Sequence, residues 1–203
     1  MHKNLTDSRF PINSRLPRME GLSKKIHPWD YYQSQKKSAV LFLFIPDEFN
    51  TDTASLVLTK RSTSLRSHKG QIGCPGGHWE DHDHDPAATA IREANEELGL
   101  PIDHVVVHGC LEPVHSLEGH PVIPVVATST TSLGELRPNS DEVAEVLPCP
   151  WIDLAHHRDI PFEFNLFGYR RKSHRFVSRG SNIWGLTAKM IHNAGMREHV
   201  NIG

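Results

Sequence analysis

The sequence predicts an α/β sandwich built on a mixed sheet, and two patterns carry that expectation. Five runs rich in Val, Ile and Leu, at 38–45, 54–59, 104–111, 121–129 and 143–149, are bounded by Pro, Gly or Asn, as strands are. Two segments, 86–98 and 181–193, carry the longer apolar spacing of helices. The chain of 203 residues is long enough for one domain with its own core and a short extension.

Taken in order, residues 1–37 are polar and mixed in charge, with Pro11, Pro17 and Pro28. They read as an N-terminal extension with room for one short helix. Residues 38–195 form the expected domain, and 196–203 a C-terminal tail. The extension holds no part of the chemistry on this reading, so a chain beginning near Gln35 is expected to stay active unless the segment supports a dimer. The run "AVLFLFIP" at 39–46 is the longest apolar stretch and far too short to cross a membrane. "LEPVHSLEGHPVIPVVA", residues 111–127, reads as two strands joined by a turn at Glu118–Gly119. Trp184 is expected to pack the last helix onto the sheet.

Composition narrows the function classes. The formal net charge of −2 excludes the basic bulk of a nucleic-acid binder, and neither disorder nor low complexity is indicated. Three cysteines, Cys74, Cys110 and Cys149, are odd in number and far apart, which fits a reducing compartment without a disulfide framework. No basic-then-apolar leader opens the chain, so a cytoplasmic protein with no membrane partner is expected. Arg9, Arg15 and Arg18 offer a mitochondrial alternative that Asp7 and Glu20 oppose. The 15 histidines are scattered, and His78, His82 and His84 lie in an acidic loop without cysteine partners, so they read as solvated rather than as a zinc site.

The helix at 86–98 raises the chemical question. Asp85 can cap it, Pro86 suits its first position, and Gly99 with Pro101 stops it. Ala87, Ile91, Ala94 and Leu98 form one apolar stripe. Glu93, Glu96 and Glu97 fall within an arc of roughly 100° on the other side, at about 100° per residue. Like charges at such spacing repel, so the arrangement calls for solvent or a cation. A solvated acidic face is the commoner cause. The setting favours the cation: Gly76 and Gly77 bring backbone close, and Pro75 stiffens their entry. Carboxylates and a backbone carbonyl are hard oxygen ligands suited to Mg²⁺ or Mn²⁺, ions that commonly bridge to phosphates. Arg92, four residues ahead of Glu96, can brace the cluster.

"REANEELGL", residues 92–100, matches the core of the Nudix box, Arg-Glu-apolar-x-Glu-Glu-x-Gly-apolar, at every defined position. Gly77 and Asp83 precede it, as a glycine and an acid do in Nudix hydrolases, although Asp83 stands nine residues before Arg92 where the pattern has glutamate at eight. The resemblance implies a Nudix-type α/β/α sandwich with a mixed sheet and the loop–helix motif. It implies Glu93, Glu96, Glu97 and the Gly77 carbonyl as metal ligands for Mg²⁺ or Mn²⁺. Glu93, Glu97 and Arg92 would be catalytic, with Glu142 as a further ligand or general base. Asp141 and Glu145 read as surface.

The flanks resemble one subfamily. "LTKRSTSLRSHKGQIGCPGG", residues 58–77, is similar to the segment before the Nudix box in coenzyme A diphosphatases, with Cys74 in place of a phenylalanine. "LRPNSDEVAEV" (136–146) and "IWGLTA" (183–188) are similar to family segments in the same order. This resemblance implies hydrolysis of coenzyme A or acyl-CoA, with Arg61, Arg66, Lys69, Gln71 and Gly76 as substrate-binding residues. Arginine grips phosphate oxygens in two-pronged fashion, which favours Arg61 and Arg66. The same helix could serve ADP-ribose, a dinucleotide or a nucleoside triphosphate, or a sensor that binds a nucleotide without turnover. The expected partner is a small nucleotide-derived substrate, for a monomer or a homodimer.

Overall fold

The computed structural model describes residues 19–46, 54–65, 68–156, 160–166 and 168–195. An eight-stranded sheet organises them. Its main path runs β3 (Ile72–Gly73), β2 (Ala54–Arg61), β1 (Ser38–Pro46), β7 (Pro121–Ser129) and β5 (Val105–Cys110). Three further strands pair off this path: β4 (Gly76–His78) on β1, β6 (Val114–His115) on β7, and β8 (Val143–Pro150) on β2. β1 and β7 are parallel, with Leu41 opposite Val125, while the other pairings are antiparallel. The sheet is therefore mixed, as expected.

β1 explains the layering. Successive strand residues point to opposite faces. Leu41, Leu43 and Ile45 enter one core with Ala90, Ala94 and Leu98 of α1 (Pro86–Leu98). Phe42 and Phe44 enter a second core with Trp151 of α2 (Trp151–His156) and Ile191 of α3 (Gly185–Ala194). All five β1 side chains are at most 1% exposed, so the strand is sandwiched between helical layers. The aromatic rings of Phe42, Phe44 and Trp151 meet edge to face at 5.4–5.9 Å.

The helix behind the glycine turn has the expected bounds. Asp85 Oδ1 accepts the Ala88 amide at 2.9 Å, and Gly99 closes the helix at φ 61° with its amide on Asn95 O at 2.8 Å. The turn near Glu118–Gly119 also forms: the Ser116 amide donates to His120 O at 2.9 Å, and Gly119 takes φ 84°.

The segment expected as one helix at 181–193 is two elements. β11 (Ser181–Trp184) pairs antiparallel with β10 (Tyr169–Ser178), the chain turns at Gly185 with φ 68°, and α3 follows. Trp184 is correspondingly no core residue; it is 41% exposed. β9 (Ile160–Leu166) completes this second, three-stranded sheet, which composition did not announce. Part of the N-terminal region also packs on the domain. Met19 and Trp29 are buried, and Ser23 exchanges backbone hydrogen bonds with Cys110 of β5, both at 2.9 Å. The three cysteines are free and buried. Among the described residues, no helix is long and apolar enough to cross a membrane.

Candidate active site

β4 lies antiparallel to the start of β1, with Gly77 opposite Ala39 and Gly76 opposite Val40. This pairing presses the two glycines against the face of α1 that bears the acids. The Gly76 amide donates to Glu97 Oε2 at 3.3 Å. Arg61, at the end of β2, places Nη1 3.8 Å from Glu97 Oε1. Glu97 is 3% exposed, so the acid face of the helix is not simply solvated. Burial raises its pKa to about 7; Glu93 and Glu142 push in the same direction, while Arg61 and the Gly76 amide resist. Burial likewise raises Glu93, with Arg92 opposing.

Arg92 is the brace, and it reaches further than the sequence implied. Nη1 donates to Glu93 Oε1 at 3.0 Å and to Glu96 Oε2 at 3.3 Å. Nη2 donates to His78 O at 2.8 Å and to Asp83 Oδ2 at 3.0 Å, and Nε to Asp83 Oδ1 at 3.3 Å. Asp83, 5% exposed, also accepts the Glu80 amide and the Thr89 hydroxyl. Its burial opposes ionisation, but the hydrogen bonds from Arg92, Glu80 and Thr89 outweigh that and hold the carboxyl below its usual range. The lengthened loop thus still delivers its acid to the arginine.

A cleft of about 540 Å³ opens over these groups. Its polar wall includes Arg61, Gln71, Gly76, Gly77, Glu93, Glu97 and Glu142. Glu142 comes from the turn before β8, where Asn139 Nδ2 donates to Oε1 at 3.4 Å and the Ser62 amide holds its carbonyl at 2.8 Å. Gln71 is tied by its carbonyl to the Arg61 amide at 2.9 Å and by Oε1 to His68 Nδ1 at 2.9 Å. Trp184, Leu186 and Thr187 at the β11–α3 junction also line it.

Not every expected residue converges. The Glu96 side chain is 54% exposed and turned to Arg92 rather than lining the cleft, and exposed Lys69 does not line it either. Arg66 lies outside the described residues. Among the described residues, no three acidic, histidine or cysteine side chains are grouped as a ready-made metal site, for Arg92 draws Glu93 and Glu96 to itself while Glu97 engages Gly76 and Arg61. The donor chemistry nonetheless suits a divalent cation. Glu93, Glu97 and Glu142 share one cleft with the Gly77 backbone, every donor is oxygen, and mutual repulsion among the carboxylates helps to raise two of their pKa values.

Two features escaped the sequence reading. Thr89 and Asp83 form a hydrogen-bonded support behind Arg92, of which only the spacing of Asp83 gave a hint. Trp184 forms a wall of the cleft, and the signal was the following Gly185, which ends the strand and opens the helix.

The family profile and the curated relatives place this chain. The NUDIX domain family profile matches residues 35–168, more than half of the chain. The Nudix hydrolase NudL of Pectobacterium atrosepticum, itself named as uncharacterized, is 35% identical over 190 residues, covering 93% of this chain and 95% of its own length. NudL of Escherichia coli K12 is 39% identical over 147 residues, 70% of this chain and 74% of that protein. Among solved structures, the Nudix hydrolase RenU of M. smegmatis aligns with a TM-score of 0.48 at 24% identity, over 59% of this chain and 73% of that one. With its profile spanning the loop, the acid-bearing helix and the sheet around them, the chain belongs to the Nudix hydrolase family.

Proposed function

We propose that this Nudix hydrolase cleaves the diphosphate of coenzyme A and its thioesters, giving adenosine 3′,5′-bisphosphate and 4′-phosphopantetheine or its acyl form. The observation that carries the reading is the meeting of Glu93, Glu97 and Glu142 in one cleft with Arg61, Gln71 and Gly77, which belong to the segment whose sequence resembles coenzyme A diphosphatases. Nudix hydrolases generally use divalent metals. Glu93, Glu96, Glu97 and the Gly77 carbonyl would hold Mg²⁺ or Mn²⁺, with Glu142 beside them. Such a cation, when bound, neutralises phosphate charge and makes water a better nucleophile.

The protein's own groups do the rest. Arg61 binds phosphate oxygens; its Nε is buried without a hydrogen-bond partner, so the guanidinium has donor capacity to offer an anion. Arg92 orients Glu93 and Glu96 rather than touching substrate. With Oε1 steadied by Asn139, Glu142 Oε2 takes the proton of the attacking water. Gly76, Gln71 and Lys69, with Arg66 on the same segment, guide the polyanionic substrate in. Trp184 and Leu186 offer an apolar wall to the remainder of the ligand.

The test offers CoA, acetyl-CoA, dephospho-CoA, ADP-ribose, NADH and dGTP to the protein with Mg²⁺ or Mn²⁺, resolving products by chromatography. CoA compounds should have the highest kcat/KM, with dephospho-CoA weaker for want of its 3′-phosphate. A preference for ADP-ribose, a dinucleotide or a nucleoside triphosphate would overturn the substrate and keep the chemistry. Nucleotide binding without turnover of any compound would make the protein a sensor.

A further inference from the structure

The family profile begins at residue 35, yet a residue upstream of it is wired into the acid-bearing helix. Trp29 is 2% exposed, and its Nε1–H donates to Thr89 Oγ1 in α1 at 3.0 Å. An indole N–H can only donate, so Thr89 receives that bond on a lone pair and must direct its own proton elsewhere. It donates to Asp83 Oδ2 at 2.8 Å. Asp83 in turn holds Arg92 through Nη2 at 3.0 Å and Nε at 3.3 Å, and Arg92 Nη1 reaches Glu93 at 3.0 Å and Glu96 at 3.3 Å.

The relay is anchored at its far end as well. The Trp29 carbonyl accepts Lys37 Nζ at 2.7 Å, and its amide donates to His84 O at 3.3 Å, so the segment is tied to the entry of β1 and to the end of the acidic loop. Lys37 is itself 7% exposed and stands 5.1 Å from the centre of the Trp79 ring. The two links from Trp29 to Asp83 are buried, where polar groups tolerate few alternative partners; those from Arg92 to Asp83 and Glu93 are partly buried, and the last, to Glu96, is exposed.

We propose that Trp29 is a positioning residue: through Thr89, Asp83 and Arg92 it sets where Glu93 and Glu96 stand, and with them the affinity of the site for divalent cations. This inference rests on the reading of those carboxylates as cation ligands. A tryptophan that only fills space would act on stability alone. The indole of Trp29 also packs edge-on against Tyr32 at 5.6 Å, so the two roles must be separated by experiment.

The separating measurement is Mn²⁺ binding to the full-length, substrate-free protein, followed by the EPR signal of the free ion, beside Tm in chelator. Trp29→Phe keeps an aromatic ring and loses the donor. It should weaken Mn²⁺ binding about 3–10-fold, below the roughly 10–100-fold scale of groups that hold a metal ligand directly, because Trp29 stands further back along the relay. Thr89→Val should weaken it at least as much, Thr89→Ser should stay within twofold of wild type, and Trp29→Phe added to Thr89→Val should cost nothing further. Unchanged Mn²⁺ affinity in Trp29→Phe with a lowered Tm would overturn the proposal, as would independent, multiplying effects of the two substitutions. Absence of Mn²⁺ uptake by the wild type would instead bring down the cation reading itself, together with this inference, and that arm is read before any variant is made.

Discussion

Gly77 faces the carboxylate of Glu93 so closely that a Cβ on the glycine would stand 2.5 Å from Cδ and from both oxygens. One residue earlier, a Cβ on Gly76 would run into the Ala39 carbonyl oxygen and stand 2.5 Å from Val40 Cα, at a φ of 149°. Neighbouring glycines therefore serve different ends. Gly77→Ala strikes the tip of a flexible side chain, which can swing away at little cost to the fold but takes a carboxylate out of the cleft. It should lower kcat by about 10–100-fold with Tm shifted by only a few degrees. Gly76→Ala strikes backbone in a conformation L-residues avoid, and should cost about 3 kcal/mol or more. Thermal melts and steady-state kinetics of the two proteins test the contrast; equal loss of Tm in both would contradict it.

Glu97→Gln keeps the volume and the Gly76 contact while removing the anion. Turnover should fall by roughly 10³-fold or more, the scale of losing a group that stabilises charge in the transition state. The fold should survive, because a buried carboxylate with one cation at 3.8 Å is no great source of stability. Near-normal turnover at low Mg²⁺ would show that Glu97 plays no part in the chemistry.

The same carboxyl makes the metal-free protein sensitive to pH. Burial lifts Glu97 from an ordinary 4.5 to about 7, so between those values the folded state holds a proton that the unfolded state has lost. Its stabilising contribution is full below about pH 4.5 and disappears as pH rises through about 7, a change on the order of 3 kcal/mol. Glu93 is shifted in the same direction, while His108, lowered by burial, acts oppositely. The informative quantity is thus the difference between proteins. In chelator, Tm of the wild type should fall from pH 5 to pH 8 relative to that of Glu97→Gln, and parallel profiles would rule out the shift.

Residues 19–34 revise the expectation that a chain beginning near Gln35 keeps its activity. Such a chain loses the buried Trp29 and the bonds between Ser23 and Cys110 at the edge of β5. Loss of the indole alone should cost about 3–5 kcal/mol. The truncated protein is expected to melt well below the full chain and to bind Mn²⁺ more weakly. A chain starting at Met19 should match the full-length protein in metal affinity.

The bounds of the acid-bearing helix, the strand cores and the family were legible in the sequence because each depends on local chemistry. Asp85 and Gly99 cap their helix by short-range hydrogen bonds, and the Val-, Ile- and Leu-rich runs declare strands wherever they pack. Spacing likewise placed Glu93, Glu96 and Glu97 on one arc. It could not say that Glu97 is buried against Gly76 while Glu96 turns out to Arg92, since that division is made by β4 packing on one side of the helix. Nor could local pattern see that Trp184 ends a strand: its pairing partner, Arg175, is supplied by β10, and an isolated Ile-Trp step reads equally well as helix. Trp29 lies 60 residues from Thr89 in sequence and 3.0 Å from it in space. Only the folded sheet and helix bring such groups together, because a hydrogen bond between distant residues leaves no periodic trace in the chain that forms it.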